Sequence, residues 1–262
     1  MGSVVFASTF TYAHTKLFGQ EWVRAALSQD PDAPDTAHAV KTFCPARMAK
    51  VLALAYGQVP LMNLGSALVT RARSQAAGAF LRSDASVWLT FDDDVTSDVA
   101  TVKALVECAY DEKALVSVPA LARGSNLVNW HLGSPWEKSR IVTSVNGRKL
   151  YPILASCFSL VAMHRSIVEK LAAKVPLVGV GLERFPALFL ERVLPPHWIG
   201  EDMAFCIDAI KAALPVYALL DGTVTHAGRS CTVNEEADLR TDAETALTLT
   251  REAETRPDLR KP

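Results

Sequence analysis

The stretch SVWLTFDDDVTSD (Ser86–Asp98) is a run of strand-forming residues that ends on three consecutive aspartates, with no lysine or arginine beside them. β-Branched and aromatic residues in SVWLTF predict a buried strand. In an α/β sheet the carboxyl ends of the strands are where ligands bind. Asp92 and Asp94, at i and i+2 of an extended segment, are expected to project to one side. Two carboxylates on one side need a cation. An oxygen-only pair is too sparse for a complete protein cage, which favours Mg2+ or Mn2+ completed by water and a substrate diphosphate. The plain alternative is a solvated acidic turn.

Working outward, apolar or small residues recur from Leu61 through Leu64, Leu68, Ala72, Ala76, Ala79 and Phe80, the spacing of one helix face leading into the strand. After the aspartates, Ser97-Asp98 reads as a helix cap before Val99, Val102, Leu105 and Val106. SVVFAS (3–8) reads as a short buried strand and FGQEWVRAAL (18–27) as a helix, while 36–59 is ambiguous. ALVSVPAL, ILASCFSLVAM and PVYALLDGTVTHAG read as strands, HRSIVEKLAAKV and the end of WIGEDMAFCIDAIKAAL as helices, and VNGRK as a hairpin turn. This alternation predicts an α/β fold, a Rossmann-like, mostly parallel sheet flanked by helices in a single domain over 1–233. The tail, 234–262, is charged and alanine-rich, and a helix followed by disorder is expected there.

The chain has 262 residues, half of them apolar, enough for a substantial core. Lys+Arg 27 against Asp+Glu 28 gives no support for a broad polyanion-binding surface. The five cysteines are odd in number, widely spaced and without a CxxC or Cys/His cluster, which fits a reduced compartment. MGSVVFAST carries no basic segment before its apolar run, no stretch reaches the length of a membrane span, and no Asn-x-Ser/Thr occurs. A cytoplasmic protein without a membrane span is expected.

LVTRARSQAAGAFLRSDASVWLTFDDDV resembles the segment of GT-A-fold nucleotide-sugar glycosyltransferases in which an arginine-bearing helix leads into an Asp-x-Asp strand. GEDMAFC resembles their Glu-Asp element, and PVYALLDGTVTHAG their closing strand with a His-x-Gly end. The resemblance implies a GT-A-like fold and a metal-dependent transferase. Asp92, Asp94 and His226 would hold Mn2+ or Mg2+ on the diphosphate of a nucleotide-sugar donor, a UDP-sugar before a GDP-sugar, with Asp93 near the ribose or sugar. Arg73, or Arg71 in its place, would meet the diphosphate or base. Ser8, Thr9 and Phe10 would cradle the base.

The same resemblance makes Asp202 the general base of an inverting transfer, with Glu201 orienting the acceptor. Helix capping accounts for both acids equally well. Ser74 stands where the family often has asparagine. Cys157 stands where it often has glycine, and a thiol there would narrow the acceptor pocket. Trp130 and Trp136 are placed either to stack on a sugar or base, or to pack in the core.

The acceptor stays open: a glycan, a protein, a small molecule, or a modified DNA base contacted through Arg123, Lys138, Arg140, Arg148 and Lys149. Two other classes stand beside this one. FDDDVT also fits a haloacid-dehalogenase-like phosphatase, with Asp92 as nucleophile, Asp94 as acid/base and Lys170 or Lys174 as its lysine. A non-catalytic nucleotide-sugar-binding module is the third.

Overall fold

The computed structural model describes residues 5–12, 37–57, 61–66, 68–121, 128–134, 136–179, 184–195, 197–226 and 229–232. The predicted helix at 18–27 and the tail at 234–262 lie outside these residues, as does Arg123. In chain order the elements begin with β1 (Val5–Tyr12), α1 (Ala37–Tyr56), β2 (Leu61–Ser66), α2 (Val69–Arg82), β3 (Val87–Asp92), β4 (Val95–Ser97), α3 (Val99–Asp111) and β5 (Leu115–Ser117). They continue through β6 (Trp130–His131), β7 (Val142–Thr143), β8 (Lys149–Pro152), β9 (Ala155–Ser156), β10 (Leu160–His164) and α4 (Arg165–Ala172). The remainder is β11 (Leu177–Val178), β12 (Phe185–Pro186), β13 (Arg192–Leu194), β14 (His197–Ile199), α5 (Glu201–Lys211), β15 (Val216–Leu219), β16 (Thr223–His226) and β17 (Arg229–Thr232).

An eight-stranded sheet in the order β2-β1-β3-β10-β5-β15-β8-β7 forms the centre. Every residue of β3 is buried, which is why its sequence is a continuous apolar run rather than an alternating one. β1 lies parallel to both β2 and β3, with Phe10 beside Asp92 in register. β10 runs antiparallel between β3 and β5, and β15 returns parallel to β5. The α/β class is as expected, and the pairing is mixed, because β10 and the β7–β8 hairpin enter the sheet antiparallel.

Two local readings change. The helix expected from Leu61 begins only at Val69; Leu61–Ser66 is a strand paired parallel with β1, and of its residues Leu61 and Leu64 are the two that also fit the helical spacing. ILASCFSLVAM is not one strand: Ala155–Ser156 pairs with Trp130–His131, and only Leu160–His164 joins the main sheet. The cap reading at Asp98 holds, since its side chain accepts a hydrogen bond from the Thr101 backbone N–H at 2.7 Å.

Helices cover the sheet by apolar faces. Phe80 of α2 lies against Trp88 with ring centroids 6.0 Å apart, and Trp88 meets Phe189 edge-on at 5.9 Å. Gly78 lets β12 approach α2: a Cβ there would come within 2.6 Å of Phe185 Cβ. Arg165, at the start of α4, closes the far end of α2 by donating to the carbonyl oxygens of Phe80, Ser83 and Ala85. Beneath α5, Phe158, Phe189 and Phe205 pack together, the last two stacked at 4.6 Å. Among the described residues, no helix is long and apolar enough to cross a membrane.

Candidate active site

Asp92 is the last residue of β3, and Asp93 and Asp94 form a turn before β4. Asp94 thus lies just past the extended segment, and its charge and that of His226 still act on Asp92. The turn sends the two outer aspartates to different partners while burying all three: Asp92 is 9% exposed, Asp93 2% and Asp94 4%. Buried carboxylates are costly unless charge or hydrogen bonds meet them, so their partners define the site.

Asp92 is met by Arg73, whose Nη2 lies 2.9 Å from Asp92 Oδ1. The guanidinium's Nη1 reaches Glu201 Oε1, and its Cζ sits over the Phe158 ring at 5.5 Å. Arg73 is 2% exposed. Burial pushes the Asp92 carboxyl above its ordinary value, and the Arg73 charge opposes that shift. Glu201 behaves in the same way, raised by burial and held down by Arg73.

Asp94 faces His226. The imidazole's Nδ1 lies 2.9 Å from the Leu121 carbonyl oxygen, which can only accept, so Nδ1 carries the proton and Nε2 faces Asp94 Oδ1 at 3.6 Å. The small sheet β17-β16-β4 sets this meeting, with His226 opposite Val95, the residue after Asp94. A histidine that donates one ring nitrogen to a carbonyl and presents the other to a carboxylate has the outer-shell arrangement of a metal-ligating histidine. Among the described residues, however, no three His, Cys, Asp or Glu side chains form a ready-made cage. The donor set thus fits a sparse site of one carboxylate and one imidazole, with Asp92 at its border.

α5 starts at Glu201 behind an N-cap, Gly200, that offers no side chain. Asp202 is half-buried, its Oδ1 accepting from the Met203 backbone N–H at 2.8 Å and crowding the place where a Cβ on Gly200 would sit. Cys157 stands against it. Burial first, then the Asp202 carboxylate, push the Cys157 thiol well above its ordinary value, and Arg73 and Asp92 are close enough to act on it too. The thiol is therefore a hydrogen-bond donor toward Asp202 rather than a nucleophile.

The structure thus gathers Asp92, Asp94, His226, Arg73, Glu201, Asp202 and Cys157 into one neighbourhood. Arg73 and Glu201 are buried against each other. Arg71 is exposed, one residue before the buried face of α2. Ser8 and Thr9 are fully buried in β1; Ser8 Oγ accepts from Trp88 Nε1 at 2.9 Å, and Thr9 Oγ1 has no hydrogen-bond partner. Of Phe10 only the backbone is described, beside Asp92.

The tryptophans pack on one another. Trp136 stacks on Tyr151 at 4.1 Å and Trp130, 1% exposed, lies 6.1 Å from Trp136. Arg140 is held over the Tyr151 ring, while Lys138, Arg148 and Lys149 are exposed. Lys170 and Lys174 are exposed on and just after α4, which follows the end of β10 that pairs with Val87. That is the opposite end of β3 from Asp92, about 16 Å away along the strand. The lysine that a phosphatase needs is not supplied by either residue.

Sequence reading missed three features. The Leu121 carbonyl fixes the imidazole from 105 residues away, Phe158 floors the guanidinium, and Cys157 meets Asp202. Only Cys157 left a trace, as a departure from the family pattern.

No protein-family model matches the chain, and no curated protein does. Among solved structures, the A197 protein from STIV is similar at a TM-score of 0.44 and 12% identity, covering 91% of this chain and 98% of that one. A UTP-bound UGPase from Acinetobacter baumannii is similar at a TM-score of 0.42 and 10% identity, covering 86% and 89%. Likenesses of this degree say nothing about what this chain binds.

Proposed function

We propose that the protein is a metal-dependent glycosyltransferase of GT-A-like fold, moving a sugar from a nucleotide-diphosphate sugar, a UDP-sugar first, to a hydroxyl acceptor. The observation that carries this reading is the pair His226–Asp94, with Nδ1–H committed to a carbonyl and Nε2 turned to a carboxylate at the carboxyl end of β3. Asp94 and His226 would hold the ion, and the mixed donor set suits Mn2+ better than Mg2+, which prefers oxygen alone. When bound, the ion would supply Lewis-acid stabilisation of the leaving nucleoside diphosphate.

The remaining chemistry belongs to the chain. Asp202 is the base: its carboxylate accepts the proton of the acceptor hydroxyl as that oxygen bonds to the anomeric carbon and the bond to the diphosphate breaks. A single displacement of this kind inverts the anomeric centre. Cys157, donating to Asp202, is placed to orient the carboxylate and to keep the acceptor side narrow.

Calorimetric titration of UDP, GDP and their sugars into the protein, with Mn2+ or with EDTA, tests the reading, repeated on Asp94→Ala. Metal-dependent binding of one nucleotide, lost in the variant, is the expected outcome. Absence of nucleotide binding in the presence of Mn2+ would overturn the proposal.

A further inference from the structure

Arg73 touches both acidic elements of the site. It lies on α2, its two contacts are 19 and 128 residues away, and they belong to β3 and α5. At 2% exposure the guanidinium is sealed between Asp92, Glu201 and the Phe158 ring, so it has no open face for a diphosphate. The planar fork suits this position: its two terminal nitrogens serve two carboxylates at once, which a lysine ammonium on a flexible stem does not reproduce.

Gly200 gives α5 no capping side chain, and Asp202 spends one oxygen on the Met203 backbone N–H. Helices ordinarily secure their first turn through a capping side chain at the N-cap. Here Glu201, in the first turn, is tied through Arg73 to Asp92 at the end of β3. We propose that Arg73 is a positioning residue: a buried strut that fixes the first turn of α5, and with it Asp202, relative to the aspartate turn. Resting on the transferase reading, this makes Arg73 the link by which occupation of the Asp94–His226 side is registered at Asp202. It replaces the direct ligand contact that the resemblance implies for this arginine.

Hydrogen exchange of the full chain tests the strut, first with no ligand. Glu201→Gln and Arg73→Lys each keep polar atoms in place while breaking the two-carboxylate fork. Exchange of the amides at 202–206 and 93–95 is expected to quicken together by about tenfold, with the strand amides of Val161–Met163 unchanged. Equal acceleration everywhere, or none at 202–206, would overturn the proposal. Mn2+ alone is then added. In the wild type it is expected to slow exchange at 202–206; in Arg73→Lys, Mn2+ affinity should stay within about threefold while that slowing disappears. Undiminished slowing in Arg73→Lys would also overturn the proposal. A wild type that binds no Mn2+ would sink the metal reading, and the ligand-free comparison would still decide the strut.

Discussion

The aspartate turn and the tryptophan loop draw attention for the same reason, an unusual density of residues that bind ligands elsewhere. They end differently. Trp130, Trp136 and Tyr151 satisfy one another, because aromatic rings gain from burial against any apolar neighbour. Asp92, Asp93, Asp94 and Glu201 are buried as well, and carboxylates gain nothing from burial. Their placement demands partners, and the chain brings Arg73 to Asp92 and Glu201 and sets His226 beside Asp94. Buried charge therefore points to function more strongly than buried aromatic surface does.

The contrast can be broken at several points. Arg73→Met should give the largest effect, a loss of about 3–5 kcal/mol in urea unfolding, since two buried carboxylates lose their counter-charge. Trp136→Ala, at a half-buried ring, should cost about 2–3 kcal/mol and leave calorimetric Mn2+ binding unchanged. If Mn2+ binding fell instead, the loop would belong to the site after all. His226→Ala removes a direct ligand and should weaken Mn2+ binding at least about tenfold, unlike the tryptophan, and should also cost about 1–3 kcal/mol because the Leu121 carbonyl beside the buried imidazole loses its donor.

Smaller effects sharpen the electrostatics. Asp92 and Glu201 have ordinary values of 3.8 and 4.5 and are raised in the folded state, mainly by burial. The native protein thus holds protons that the unfolded chain has already released. The stability these groups contribute is complete below the ordinary values and is lost as pH rises through the raised ones. The urea midpoint should fall over that window, and Glu201→Gln should flatten the fall. The smallest effect expected is at Cys157, whose raised thiol should react with iodoacetamide at pH 8 several-fold more slowly than an unperturbed cysteine.

Much of the fold is written locally. The run Val87–Phe91, short and rich in β-branched and aromatic residues, is a strand buried on both faces, and Asp98 starts a helix by accepting the Thr101 backbone N–H. Leu61–Ser66 misled because its apolar spacing suits a helix as well as a strand, and pairing with β1 decides between them. Within the site, the aspartates, His226, Arg73, Glu201 and Asp202 are all visible as residues. Their assignments are not, since an arginine that meets a phosphate and one that meets two carboxylates have the same sequence context.

By itself, then, the sequence determined the α/β class, the strand that ends on three aspartates and the set of charged residues available to serve them, because periodicity, capping and composition act over a few neighbours. Only the tertiary structure decided which charges meet. Arg73 and Glu201 are 128 residues apart, as His226 and Leu121 are 105 apart, and such pairs form through burial that no local pattern encodes.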